Sequence, residues 1–256
     1  SIIIRTIGFF KESTIAYYFG ISQYVDFYVL AIIYAVFFVH PVGGALATLL
    51  TQKYIEVSNK ISKSASANIY IKSQIFGISL MIIIICTQVI LLELKFFQNI
   101  IESKFDKVDI NYIYLLIPIG LISFTSLING AILTAKKQFK TFVILPFLVP
   151  ISILISLVSF PSEYKFEALF IGTLIGFTLE LFASKLSLKT VLVKIDFSVI
   201  NKKSIDFSKI FKSMPSLVFS GIIMSGCLIV DQLMAILAGE GAVAMINFGN
   251  RLPLGL

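Results

Sequence analysis

The sequence predicts an all-α integral membrane protein, a polytopic helical bundle, on three observations. Of 256 residues, 57% are hydrophobic and only 14% charged, and the mean hydropathy is +0.96; a soluble domain of this length carries about a quarter charged residues. Several runs reach the roughly 20 apolar residues that cross a ~30 Å hydrocarbon core as a helix. Runs such as Ile78 to Leu92 are apolar almost throughout, without the alternation over ~10 residues that closed membrane barrels need.

The elements follow in order, read from the sequence. A partial first span covers Ser1 to about Phe19, and a second runs from Tyr24 to about Leu50. The third occupies about Ser73 to Leu94 and the fourth about Tyr112 to Ala135. The fifth is about Phe142 to Phe160, the sixth about Ala168 to Leu186, and the seventh about Ile210 to Leu237. An eighth opens at Ala242. The first run is already in progress at Ser1 and the last ends within an apolar segment at Leu256, so both ends are expected to be truncated. The start has no short apolar core with a small-residue cleavage site, so no cleavable signal peptide is expected.

The connections predict an orientation. Lys53, Lys60, Lys63 and Lys72 face Glu56 alone after the second span, and Lys136, Lys137 and Lys140 have no acid beside them after the fourth. The stretch Lys185 to Lys212 sets seven lysines against Asp196 and Asp206. The intervening loops are balanced, with Lys95, Lys104 and Lys107 against Glu102, Asp106 and Asp109, and then Glu163, Lys165 and Glu167. Basic and balanced loops alternate as the positive-inside rule requires, which puts the start of the chain in the cytoplasm. The net charge of +7 is thereby explained by topology rather than by nucleic acid. The long basic connection carries the short apolar stretches VLVKI and FSVI, a pattern suited to lying along the inner leaflet. No connection is long enough for a soluble catalytic domain.

Ionisable residues at membrane depth cost several kcal/mol and usually face a cavity or the bundle interior. Arg5 and Glu12 are seven apart and share a helix face, with Lys11 between them. Asp26 opens the second span, where its own helix dipole and a cavity role are equally good explanations. His40, the only histidine, cannot build a zinc site or a triad alone, and reads as a satisfied side chain at a helix kinked by Pro41. Glu180 reads as snorkelling toward the inner interface. Asp231 lies deep in IIMSGCLIVDQLMAIL and must be protonated, paired across helices or bound to a cation. Arg251 follows in the eighth span and stays charged. Cys86 and Cys227 read as small buried hydrophobes. Ser220, Gly221, Ser225 and Gly226 would let helices approach closely, and Pro118, Pro146, Pro150 and Pro215 permit bends.

Three blocks of sequence carry a family resemblance. RTIGFFKESTIAYYFGISQYVDFYVLA (Arg5 to Ala31), LINGAILTAKKQF (Leu127 to Phe139) and VDQLMAILAGEGAVAMINFGNRLPLGL (Val230 to Leu256) resemble, in order, blocks of MurJ/MviN-type lipid II flippases, members of the multidrug/oligosaccharidyl-lipid/polysaccharide exporter superfamily. The resemblance implies two six-helix lobes around a central cavity. This chain would supply the N-terminal lobe (residues 1–190), a cytoplasmic connecting segment (191–208) and the first helices of the second lobe (209–256). It further implies a transporter rather than an enzyme, in a bacterial inner membrane. The transporter would move a polyprenyl-diphosphate-linked saccharide between leaflets by alternating access, as a monomer whose partners are that substrate and membrane lipids. Arg5, Lys11 and Arg251 match the family's cavity cations for the diphosphate, Glu12 and Asp26 match acids nearby, and Asp231 matches a sodium ligand of some members. No cofactor is implied beyond sodium or the membrane potential for coupling.

Two departures bear on the substrate. The family has Arg where this chain has Lys11, and Lys lacks the bidentate fork. Where the second span usually ends in Arg-rich sequence, this chain has FFVHPVGG. These raise an O-antigen or exopolysaccharide unit as an alternative cargo. A cation-coupled small-molecule antiporter of the same superfamily would favour acidic cavity residues. A polytopic glycosyltransferase would need catalytic acids grouped in a sizeable loop.

Overall fold

The chain builds an all-α polytopic membrane bundle. A computed structural model describes residues 2–60, 63–105, 108–191 and 208–251. Helix α1 (Ile2–Phe19) ends at Gly20, whose φ of +59° is the left-handed conformation that glycine adopts without strain, and whose N–H closes on the Ala16 carbonyl at 2.9 Å. Helix α2 (Gln23–Val36) continues through a π-helical turn (Val39–Gly43) into α3 (Gly44–Lys60). Helix α4 spans Lys63–Glu93, and the short α5 (Lys95–Lys104) follows it. Helices α6 (Asn111–Leu116) and α7 (Pro118–Ala135) form one path, broken where Pro118 lacks a donor. Asp109 starts α6: its carboxylate accepts the Asn111 backbone N–H at 2.8 Å. A tight turn with Lys137 at φ +61° leads to α8 (Phe139–Ile144), a 3-10 turn at Pro146, and α9 (Leu148–Ser159). After a second 3-10 turn come α10 (Lys165–Val191), α11 (Ser208–Ala238) and α12 (Ala242–Arg251).

Among the described residues, six stretches are long and apolar enough to cross a membrane: Gln23–Asn59, Asn68–Glu93, Asn111–Ala135, Phe139–Ser159, Ser162–Lys189 and Lys212–Ala238. They match the second to seventh predicted spans. Helix α1 stands apart because Arg5, Lys11 and Glu12 fall within its 18 residues, yet it lies along α9 and α2 as part of the bundle. The basic stretch Lys53 to Lys72, expected as a loop, is helical apart from residues 61–62, which lie outside the described residues; it contains no proline or glycine to stop a helix. Most of the predicted connecting segment, residues 192–207, likewise lies outside them.

Two apolar clusters mark the two ends of the bundle. One gathers Ile15, Phe27, Leu92, Phe105, Ile113, Leu157, Phe170 and Ala244, and the other Leu50, Val57, Ile69, Leu133, Leu188 and Met214. The turns at 20–22, 94–110, 160–164 and 239–241 therefore collect at one end. The basic helix ends of α3, α7 and α10 collect at the other. The outward faces are apolar stripes at helical spacing, such as Ile175, Leu179, Phe182 and Leu186 on α10 and Ile151, Ile155 and Val158 on α9, as lipid contact requires. Cys86 falls on such a stripe between Ile83 and Ile90, and Cys227 between Met224 and Val230; both are exposed. They are lipid-facing rather than buried, because in lipid an apolar run has no need to hide either side.

Small residues set the helix spacing. A methyl group added to Gly176 of α10 would lie 2.7 Å from the Val149 Cα of α9, and one added to Gly172 2.8 Å from the Ser156 Oγ. Backbones this close gain dispersion contacts that larger side chains would prevent.

Candidate functional site

The first candidate charges sit on α1. Lys11 Nζ and the Glu12 carboxylate form an ion pair at 2.8 Å, each side chain mostly shielded. The cation that meets Glu12 is thus its chain neighbour Lys11. The side chains of Arg5 and Arg251 lie outside the described residues, but their backbones belong to α1 and α12. At about 1.5 Å per residue, Lys11 lies about 12 Å below the outer-cluster end of α1, and Arg251 about 14 Å below the start of α12. Each cationic position therefore lies between two and three turns along its helix from the turn at this end.

Asp26 makes the contact that organises this end. It is 3% exposed, and its two carboxylate oxygens each accept one backbone N–H from the start of α12. Gly241 donates to Oδ2 at 2.7 Å and Ala244 to Oδ1 at 2.7 Å. The first amides of a helix lack intrahelical acceptors, and the positive end of its dipole favours an anion. Asp26 therefore caps a helix more than 200 residues away in sequence, rather than serving its own. Gly241 permits the approach with φ +79°, and a Cβ there would strike the Ile21 Cγ2 at 2.1 Å. Beside this cap lies a recess of about 240 Å³, lined by Gln23, Asp26, Lys104, Phe105, Gly239 and Glu240. That volume is below the ~300–1,000 Å³ of ordinary small-molecule sites, so this recess does not itself hold a saccharide. Gln23 Nε2 adds a bond to the Lys104 carbonyl at 3.2 Å.

A second polar group, unseen in the sequence, joins α4, α7 and α10. Asn129, fully buried, accepts at Oδ1 from Tyr70 Oη (2.8 Å) and Gln74 Nε2 (2.9 Å) and donates from Nδ2 to Ser184 Oγ at 2.9 Å. One turn away, Ser126 Oγ donates to Glu180 Oε1 at 2.9 Å. Glu180 thus turns inward to α7 instead of snorkelling, because a hydroxyl across the helix interface meets it. The signal available was an Asn in LINGAIL and a Gln in the third span, each needing a partner at membrane depth. Tyr34 and Gln88 close a reciprocal pair between α2 and α4, each side chain donating to the other's backbone carbonyl at 2.7 Å.

The remaining predicted residues are dispersed. His40 sits in the π-turn, as the predicted kink requires, but its ring is exposed while Pro41 beside it is buried. Asp231 is exposed on α11; its neighbour Gln232 is buried and accepts from Asn247 Nδ2 at 3.3 Å. Among the described residues no group of three or more His, Cys, Asp or Glu is placed to hold a metal ion. Asp231 offers a single exposed carboxylate, which does not by itself amount to a sodium site.

Comparison with known proteins gives one family match: the model for the lipid II flippase MurJ covers residues 15–256. No curated protein matches the chain.

Proposed function

The chain belongs to the lipid II flippase MurJ family, and from that premise we propose that it moves a polyprenyl-diphosphate-linked saccharide, of the lipid II type, across a bacterial inner membrane by alternating access. The family's members are flippases rather than enzymes. The observation that carries the proposal is the end fastened by Asp26 on α12, with the cationic positions Lys11 and Arg251 each between two and three turns along its helix from it. A diphosphate entering from the opposite end would meet these cations and Arg5 before reaching the closure. Amine and guanidinium groups neutralise its charge in a low-dielectric setting, and the saccharide rides behind it.

The first ten helices form the N-terminal lobe, and α11 and α12 begin the second. The end that gathers Lys53, Lys136, Lys137, Lys140 and Lys189 faces the cytoplasm, and the Asp26 end faces outward. The chain works as a monomer, with lipids and the lipid-linked glycan as its partners. No step is routed through sodium. A second reading keeps the chemistry and changes the glycan. Lys11 shares its charge with Glu12, and His40 stands in the stretch where the resembled family carries Arg, which suits an O-antigen or exopolysaccharide unit on the same diphosphate carrier.

The test is rescue of cells depleted of their lipid II flippase. The protein is expected to rescue, and Arg5→Ala together with Arg251→Ala to abolish rescue while folded protein persists in the membrane. Rescue by the double variant would remove these residues from the site. Failure of the parent to rescue, with export of another polyprenyl-linked glycan, would favour the second reading.

A further inference from the structure

Helix α11 touches the rest of the bundle along a narrow line. Its outward residues Phe219, Ile223, Met224, Val230, Leu233, Met234 and Leu237 are all exposed, and its main partners are α3, the π-turn, α2 and α12. The tightest of these contacts is with the π-turn. A methyl group on Gly221 would lie 2.8 Å from the Pro41 Cα and 2.9 Å from its Cβ, so the two backbones touch with nothing between them. The π-turn is itself gripped from the other side by α7. A methyl on Gly43 would meet Leu127 Cδ2 at 2.9 Å and Phe124 Cδ2 at 3.1 Å; just before the π-turn, at the end of α2, one on Gly120 would meet the Ala35 carbonyl oxygen at 2.7 Å. Val39, Pro41 and Val42 are buried in the same place.

The π-turn is therefore a fixed seat, and Gly221 rests on it. Beyond this seat α11 packs on α3 on its inner side, where Met214 is buried, and is held at its outer end, where Gln232 and Ala235 are buried and α12 is fastened by Asp26. We propose that the contact of Gly221 with Pro41 is the pivot about which α11 and α12 tilt, and that the Asp26 cap is the catch that holds the tilt closed; this rests on the alternating-access reading above. Helical turns widened to π geometry recur where a helix must bear or bend, and Pro215 sits in α11 less than two turns from the pivot. Ala235 lies 14 residues beyond Gly221, about 21 Å along the helix. A tilt of about 10° moves it by about 4 Å while leaving Gly221 in place.

The test uses paired spin labels on the protein in lipid nanodiscs, with Cys86→Ser and Cys227→Ser as background. One pair, His40→Cys with Ser220→Cys, flanks the pivot on exposed positions; the other, Tyr17→Cys with Glu240→Cys, crosses the outer end. Adding Asp26→Ala should shift the outer pair by several ångströms while the pivot pair stays within about 1 Å. Gly221→Ala, with Asp26 intact, should instead widen the pivot pair, whereas Gly226→Ala, where a methyl meets nothing within 4 Å, should not. Equal displacement of both pairs, no displacement of either, or identical behaviour of the two glycine variants would overturn the pivot. Neither distance requires a lipid-linked substrate, so a wrong assignment of cargo leaves the outcome unaffected.

Discussion

Asp26→Ala offers the sharpest prediction because the structure states what is lost. Two carboxylate–amide bonds of 2.7 Å disappear, from a group that water does not reach. Hydrogen bonds to a charged partner contribute about 1.5–3 kcal/mol each, so taking the lower value for both gives about 3 kcal/mol. That is about a 150-fold shift in the equilibrium between docked and undocked α12. Hydrogen exchange measured by mass spectrometry reads this equilibrium directly when reclosing is fast. The informative peptide covers residues 245–250, whose own amide bonds the substitution does not touch. It should exchange about 100-fold faster in the variant, while peptides from α3 and α7 keep the parent rate. An increase below about threefold would refute the claim that Asp26 fastens α12.

The other predictions concern the bundle interior and its lipid face. Asn129→Ala removes three interhelical bonds; at about 0.6 kcal/mol each in a membrane the loss is about 2 kcal/mol, read as a lower midpoint in detergent-induced unfolding. Gly176→Ala drives a methyl into the α9 backbone at 2.7 Å and should cost about 1–3 kcal/mol in the same titration, whereas Gly226→Ala, whose methyl meets nothing, should gain up to about 1 kcal/mol of helix propensity. Spin labels attached at Cys86 and Cys227 should relax on collision with molecular oxygen, which dissolves in lipid, and not with a water-soluble nickel chelate; shielding from both would return them to the core.

The spans were legible because a ~30 Å slab demands about 20 apolar residues, and no tertiary contact can disguise that. The direction each span faces was not. Cys86 and Met81 sit in the same apolar run, yet one is exposed on the outer face and the other buried in the core, since hydropathy is blind to which apolar medium surrounds a side chain. The polar contacts were hidden for a different reason. Asp26 and Gly241 are 215 residues apart, Asn129 and Gln74 55 apart, and Glu180 and Ser126 54 apart. A single sequence shows that each needs a partner and not which helix supplies it. The Lys11–Glu12 pair, between neighbours in the chain, was the exception.

That difference in partner distance sorts the charges by what they are free to do. Asp26 and Asn129 are bound to other helices, so moving them means moving backbone. Lys11 and Glu12 are neighbours on one helix, and separating them needs side-chain rotation and no movement of backbone. In the proposed function a diphosphate can therefore take Lys11 before the outer end responds. Opening that end costs about 3 kcal/mol for the Asp26 cap alone. A ligand shifts such an equilibrium only by its difference in affinity for the two states. To make open and closed forms equally populated, the bound substrate must prefer the open form by about 150-fold. Contacts with Arg5, Lys11 and Arg251 present equally in both forms contribute nothing to that preference. In the proposed cycle the driving contacts are thus those whose distance to the substrate changes as α12 leaves Asp26, and we propose that Arg251, carried on α12 itself, supplies the moving cation.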